Sequence, residues 1–205
     1  MCNLLSVAFR RHQLQTDVSI KEEASMRILI IFLFLGLAAR AETFRLTSTD
    51  VKNGGTLTDN QVFNGFGCTG KNISPELQWA NPPEGTKSFA VTVYDPDAPT
   101  GSGWWHWTVA NIPANVKKLE RGASNQPAKM PAGAVEGRTD FGKSGFGGAC
   151  PPPGDKPHHY IFTVFALKTE KLEVGPEAGG AMFGYMINAN SIGKASITAK
   201  YGRKK

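Results

Sequence analysis

The apolar positions of this chain fall in short runs with a period of two, separated by stretches rich in Gly, Pro and polar residues. Phe89–Tyr94 (FAVTVY), His106–Ile112 (HWTVANI) and His159–Leu167 (HYIFTVFAL) are rich in β-branched and aromatic residues and are predicted strands. In the last run both faces are apolar, with Tyr160, Phe162 and Val164 on one side and Ile161, Phe165 and Leu167 on the other. Such a strand must be covered twice, between sheets or beneath loops. Phe44–Ser48 and Ala195–Tyr201 are further predicted strands. Gly180–Ile192 has helical spacing instead: Ala181, Met182, Tyr185, Met186 and Ala189 recur at three- and four-residue steps, predicting a helix with one face on the sheets. Between these elements Asn81–Thr86, Asp95–Gly103 and Gly142–Pro157 are longer than turns require. Loops of that length in a small domain are functional or disordered.

Composition sharpens the β reading. With 205 residues, 23 Gly and 13 Pro, the chain suits one domain with one core and many turns. At the N-terminus, Met26-Arg27, the apolar run Ile28–Ala38 and Ala39-Arg40-Ala41 form the basic start, short apolar centre and A-x-A end of a signal peptide. Cleavage after Ala41 leaves residues 42–205 as a single domain in the periplasm or outside the cell. The apolar run is about half the roughly 20 residues that span a bilayer, so no transmembrane anchor is expected. Residues 1–25 precede the signal without apolar periodicity and read as an extension upstream of a true start at Met26. Arg10-Arg11 lies too far from the apolar run for a twin-arginine signal.

Within residues 42–205, 18 Lys and Arg stand against 14 Asp and Glu, a net charge of +4. The only cationic run is the tail Arg203-Lys204-Lys205, which reads as a solvated end, so nucleic acid is not an expected partner. Of three cysteines, Cys2 falls in the upstream extension, leaving Cys68 and Cys150 as an even pair expected to form a disulfide after export. Closing a loop of about 80 residues contributes roughly 4 kcal/mol in the chain-entropy model.

Two loop blocks carry the chemistry. The first is Asp95-Pro96-Asp97-Ala98-Pro99, running through Gly101 and Gly103 to Trp104-Trp105-His106-Trp107. Its prolines stiffen the turn, and its glycines fold the backbone back to start the next strand, placing a carboxylate and an imidazole at one sheet end. The second block is Gly147-Gly148-Ala149-Cys150-Pro151-Pro152-Pro153-Gly154-Asp155-Lys156-Pro157-His158-His159-Tyr160. Neighbouring strand residues point to opposite faces, so His158 shares its side with Tyr160 and only one of the two histidines faces a given pocket.

These blocks closely resemble the phosphatidylethanolamine-binding protein family, and Tyr94–Trp107 is similar to its bacterial, Raf-kinase-inhibitor-like branch. The resemblance covers nearly all of Phe44–Tyr201. It implies a Greek-key β-sandwich of two antiparallel sheets with a C-terminal helix and strand. It also implies a small cavity at one end of the sandwich for phosphate or phosphorylated headgroups such as phosphoethanolamine. Carried over by motif, Asp95, Pro99, His106, Gly148, Pro151, His158 and Tyr160 are the expected ligand residues. His159 stands where animal members usually carry Arg, and Cys150 where they carry Gly. Kinase inhibition is not carried over, because an exported protein does not meet cytosolic kinases.

The residue chemistry points the same way. Two imidazoles can donate to phosphate oxygens, and Asp95 can orient one of them or receive an ammonium. The Gly147 and Gly148 amides are candidate further donors, and Trp104 and Trp105 a candidate apolar rim. Asp97 either braces the turn or touches ligand. Asp95, His106 and His158 could ligate zinc, but no H-E-x-x-H accompanies them and no metal is expected. Gly142-Lys143-Ser144-Gly145-Phe146 fails G-x-S-x-G at its last position. Gly65-Phe66-Gly67-Cys68-Thr69-Gly70 satisfies G-x-G-x-x-G, but Ile73-Ser74-Pro75 follows where a dinucleotide fold needs a helix, so no cofactor is expected. The expectation is a non-enzymatic binder of a small anionic ligand. The alternatives are an interaction module inhibiting proteases or signalling, and a weak hydrolase.

Overall fold

The three long alternating runs form the centre of the molecule. The computed structural model describes residues 42–205; the predicted extension 1–25, the signal peptide 26–41 and Cys2 lie outside the described residues. In chain order the strands are β1 (Arg45–Thr47), β2 (Asn64–Gly65), β3 (Cys68–Thr69), β4 (Leu77–Ala80) and β5 (Ser88–Asp95), then β6 (Trp104–Pro113), β7 (Lys118–Leu119), β8 (Val135–Glu136), β9 (His158–Leu167) and β10 (Ser191–Tyr201). A helix, α1 (Gly180–Asn190), runs directly into β10.

The main antiparallel sheet has the order β10-β9-β5-β6-β8, a smaller one the order β1-β4-β7, and β2-β3 is a hairpin. The two larger sheets share one apolar core. Phe89, Val91 and Val93 of β5, Trp107 and Val109 of β6, and Phe162 and Val164 of β9 join Leu46, Leu77, Trp79 and Leu119 of the smaller sheet. On the other face Ala90, Ala110 and Leu167 meet Leu172 and the helix residues Phe183 and Ile187. The main sheet is thus covered twice, as the two-sided pattern of β9 requires. Each of these large side chains stabilises by about 1.5 to 3 kcal/mol relative to an exposed position.

Helix α1 ends two residues before the predicted boundary at Ile192, because β10 begins at Ser191. Its buried face also differs from the predicted one. Phe183 and Ile187 are buried, whereas Met182 and Tyr185 are 54% and 71% exposed. The segment is apolar almost all round, so spacing alone did not select a face. Gly180 selects it: a Cβ there would come within 2.1 Å of the Trp105 ring, so the helix start lies directly on that indole.

Strand β6 carries two bulges. Near one end Phe89 pairs with Ile112 but Val91 with Val109, so β6 has one residue more than β5. Asn111 lies in this bulge with φ +60°. Its amide donates to the Leu172 carbonyl (3.2 Å) and its Oδ1 accepts the Leu172 N–H (2.7 Å), pinning the connection that follows β9. Both bonds are buried. Replacing Asn111 by Ala leaves the buried Leu172 N–H unpaired, while the Leu172 carbonyl keeps the Val174 N–H (2.9 Å); it also puts Ala in a left-handed conformation that it disfavours, and together these should cost about 2 to 4 kcal/mol. Urea unfolding checks this; a loss under about 0.5 kcal/mol contradicts it.

Candidate functional site

Antiparallel pairing brings the end of β5 and the starts of β6 and β9 to one edge of the main sheet, with Asp95 opposite Trp104 and Tyr94 opposite Ile161. The loop after Asp95 is stiffened from within. Asp95 Oδ1 accepts the Asp97 N–H (2.8 Å), the Tyr94 hydroxyl donates to the Ser102 carbonyl (2.7 Å), and the Thr100 hydroxyl donates to the Gly103 carbonyl (2.5 Å). Gly103 has φ +70°, and a Cβ there would meet the Tyr94 hydroxyl at 2.2 Å, so only glycine fits.

The second bulge of β6 lies here. Val93 pairs with Trp107 and Tyr94 with Trp105, leaving His106 as the extra residue. Trp107 shares the inter-sheet core with Val93 and Phe162, so strict alternation would turn His106 to the opposite face. The bulge turns it back, and its ring lies 5.1 Å from that of Tyr160.

These side chains line a cavity of about 190 Å³. Of the seven residues expected from sequence, Asp95, Pro99, His106, Pro151, His158 and Tyr160 border it and Gly148 does not. A larger depression of about 800 Å³ lies at the opposite sheet end, lined in part by Lys87, Pro113, Gly133 and Lys171. Its Lys171 is exposed and pairs with Glu173 at 3.2 Å, and its one buried polar side chain, Asn111, is already bonded to the Leu172 peptide. The smaller cavity is the chemically distinctive one.

Asp95 organises it. Its carboxylate is 2% exposed. Oδ2 accepts the Nδ1–H of His158 at 2.7 Å and lies 4.0 Å from Nε2 of His106. The far nitrogen of His158, Nε2, is 3.5 Å from Asp155. His106 Nδ1 faces two acceptors, the carbonyls of Gly147 (2.8 Å) and Gly148 (3.1 Å), so it carries the proton. In the neutral ring Nε2 is therefore a lone-pair acceptor. Burial holds the His106 pKa below its ordinary 6.5, although the Gly147 and Gly148 carbonyls and the Asp95 charge pull the other way. Burial, helped by the Asp95 charge, pushes the Tyr160 phenol far above its ordinary value, against a small opposing pull from the Cys150 amide, so Tyr160 stays a neutral O–H.

Three buried polar atoms of cavity-lining side chains lack a partner of normal geometry among the described residues: His106 Nε2, Tyr160 Oη and Trp104 Nε1. Each such atom costs about 1 to 3 kcal/mol when left unpaired in the interior.

The expected glycine donors are placed differently. The Gly148 amide donates to Asn72 Oδ1 (2.7 Å) and the Gly147 amide to the His106 carbonyl (2.8 Å), so both N–H groups are occupied. These glycines hold His106 through their carbonyls instead. A Cβ on Gly148 would meet the Gln61 carbonyl at 2.4 Å, which is why the loop packs so closely. Trp104 borders the cavity, but Trp105 faces away, against Tyr94 (4.7 Å between rings) and α1. Asp97 and His159 pair with each other outside the cavity: Asp97 Oδ2 accepts both the His159 amide and its Nδ1–H at 2.7 Å. Slight burial raises the Asp97 pKa, but the bonds and charge of His159 outweigh it and the net shift is downward.

Sequence reasoning missed two aromatic walls, Phe66 and Phe141. Phe66 arrives through the Cys68–Cys150 disulfide, which ties hairpin β2-β3 to the proline-rich loop across a sequence separation of 82 residues. The G-x-G-x-x-G segment is thus this hairpin rather than a cofactor loop, and its nearby cysteine was the available signal. Phe141 stacks on Phe63 at 3.9 Å and lies 5.5 Å from the His106 ring.

Against known proteins, the family description for phosphatidylethanolamine-binding proteins matches residues 47–202. The UPF0098 protein YbcL of Escherichia coli K12 is 59% identical over 180 residues, covering 86% of this chain and 98% of the relative. YbhB of the same organism is 52% identical over 157 residues, covering 77% of this chain and 99% of the relative. The crystal structure of E. coli YbcL, described as a new member of the mammalian PEBP family, has a TM-score of 0.78 at 62% identity and covers 80% of this chain and 100% of its own.

Proposed function

The chain belongs to the phosphatidylethanolamine-binding protein family, and from that premise we propose that it is an exported, non-enzymatic protein whose cavity binds phosphate-bearing headgroups. The observation that carries this reading is the set of three unpartnered buried polar atoms, His106 Nε2, Tyr160 Oη and Trp104 Nε1, around one small cavity. Tyr160 and Trp104 supply neutral donors, and His106 completes the set when its Nε2 takes up a proton. Asp95 stays bonded to His158 and leaves room for a ligand ammonium beside it. The volume suits a headgroup rather than an acyl chain. Pro99 and Pro151 shape the entrance, and Gly148 acts by holding His106.

Binding without turnover is the simplest account of this arrangement. Cys150 is in a disulfide and is no thiolate nucleophile. Export to the periplasm or beyond, with cleavage after Ala41, is consistent with that disulfide. Protein recovered from its native compartment should have the mass of residues 42–205 and no thiol open to alkylation under denaturing conditions. Two labelled cysteines, or retention of Ile28–Ala38, contradict this.

An anion at His106 favours the imidazolium, so the bound pKa lies above the free one, which burial has already lowered. The proton-linked part of the affinity is therefore fully present below the free pKa and is lost as pH rises through the bound pKa. Glycerophosphoethanolamine is a suitable probe, because its phosphodiester keeps one negative charge throughout. Calorimetry should show tighter binding at pH 5 than at pH 8, by up to about tenfold for each unit by which the bound pKa exceeds the free one. Replacing His106 or His158 by Ala should cost about 1.5 to 3 kcal/mol, and His159→Ala under about 0.5. Equal affinity in folded wild type, H106A and H158A would remove the support for this reading.

A further inference from the structure

Beside the headgroup cavity lies a second depression, of about 490 Å³, between hairpin β2-β3, the turn at Ser124-Asn125 and the loop 139–147. Phe66 and Phe141 line both spaces, so the two share an aromatic wall. Phe141 is fixed from two sides. It stacks on Phe63 at 3.9 Å, and a Cβ on Gly147 would come within 2.4 Å of its ring. Phe66 lies 5.4 Å from Phe141, in the two-residue turn between Gly65 and Cys68, with φ +52°. A bulky side chain is strained there, because such turns favour Asn, Asp or Gly. A strained ring that is 72% exposed contributes little to folding, and strain of this kind clusters at ligand clamps.

The rest of the depression is polar, and part of that polarity holds it in shape. Asn72 donates to the Phe146 carbonyl (3.1 Å) and accepts the Gly148 N–H (2.7 Å). Asn125 accepts the Ser74 N–H (3.1 Å) and donates to the Asn72 carbonyl (3.0 Å). Three lining groups are left over among the described residues: the Asn64 amide, the Lys143 ammonium and the hydrogen of the Ser124 hydroxyl, whose oxygen accepts the Phe146 N–H (2.7 Å). An acyl chain laid here would cover these groups without pairing them. A sugar ring meets both demands of the surface. Its C–H face packs on the aromatic rings, while its hydroxyls accept from Lys143 and exchange hydrogen bonds with Asn64 and Ser124.

We propose that the two spaces together receive a phosphodiester of a sugar. The phosphate and its small ammonium-bearing ester group occupy the headgroup cavity, and the sugar ring lies against Phe63 and Phe66 in the neighbouring depression. Phe66 stands between the two halves of the ligand and clamps the ester link. The inference rests on the headgroup reading for the phosphate end, and it assigns the group carried by the other ester oxygen.

The test is calorimetric titration of the purified protein with two phosphodiesters of equal charge: the methyl ester of phosphoethanolamine, and its glucose ester through the primary hydroxyl. The glucose ester should bind about tenfold tighter, the usual net effect of one or two hydrogen bonds. Asn64 and Lys143 are exposed and lie outside the headgroup cavity. N64A/K143A should therefore bring the two esters to within about twofold of each other. Its affinity for the methyl ester should equal that of the wild type, which also verifies folding. Phe63→Leu, which keeps an apolar side chain against Phe141 but removes a ring, should reduce the preference about threefold. Equal affinity for the two esters in the wild type, or an undiminished preference in N64A/K143A, overturns the proposal and leaves the headgroup reading standing. A preference that depends on Asn64 and Lys143, with both esters bound by H106A as by the wild type, leaves the sugar subsite standing and overturns the headgroup reading alone. Binding of neither ester overturns both.

Discussion

The site depends on one extra residue in β6. Between Trp105 and Trp107 that strand has three residues where β5 has two, and the surplus residue is His106. Without it, Trp107 would stay in the inter-sheet core and His106 would point at the opposite face, away from Asp95, His158 and Tyr160. The bulge lets core packing and pocket construction proceed on one strand without competing. Gly103 makes the return to that strand possible by fitting against Tyr94, and the carbonyls of Gly147 and Gly148 fix the tautomer of the ring once it has been turned.

The electrostatics of the cavity follow from that placement. A buried carboxylate is costly unless bonded, and Asp95 is bonded to His158 and to the Asp97 amide. Its charge still reaches His106 and Tyr160, raising the pKa of both, but burial outweighs it at His106 and leaves that ring biased toward neutrality. Two separate histidine–aspartate pairs result, one inside the cavity and one outside. Adjacent residues His158 and His159 thereby have unrelated roles.

The sequence made much of this legible. The cores of β5, β6 and β9 follow from alternation, and the two-sided pattern of β9 anticipates a doubly covered sheet. Six expected ligand residues converge because their motifs adjoin strand ends that pair. What stayed hidden has tertiary causes. Strands β2, β3, β7 and β8 have two residues each and exist through their partners, leaving no periodicity to read. The bulge at His106 is a register property, invisible without β5 alongside. Met182 and Tyr185 were assigned to the buried face of α1 because an almost wholly apolar helix gives spacing no contrast. Phe66 and Phe141 reach the cavity through a disulfide and a loop path that local pattern does not encode. The Gly147 and Gly148 amides read as donors because nothing local shows that Asn72 and the His106 carbonyl already hold them.

The central claim is that an anion in the cavity is received by the inner nitrogen of His106. Nitrogen-15 NMR of the imidazole rings tests it directly, on labelled protein at pH 7 with and without glycerophosphoethanolamine. In the free protein His106 should show a protonated Nδ1 and an unprotonated Nε2. On saturation Nε2 should move to the protonated position, while His159 stays unchanged. A His106 Nε2 signal that is unaffected by saturating ligand would contradict the account.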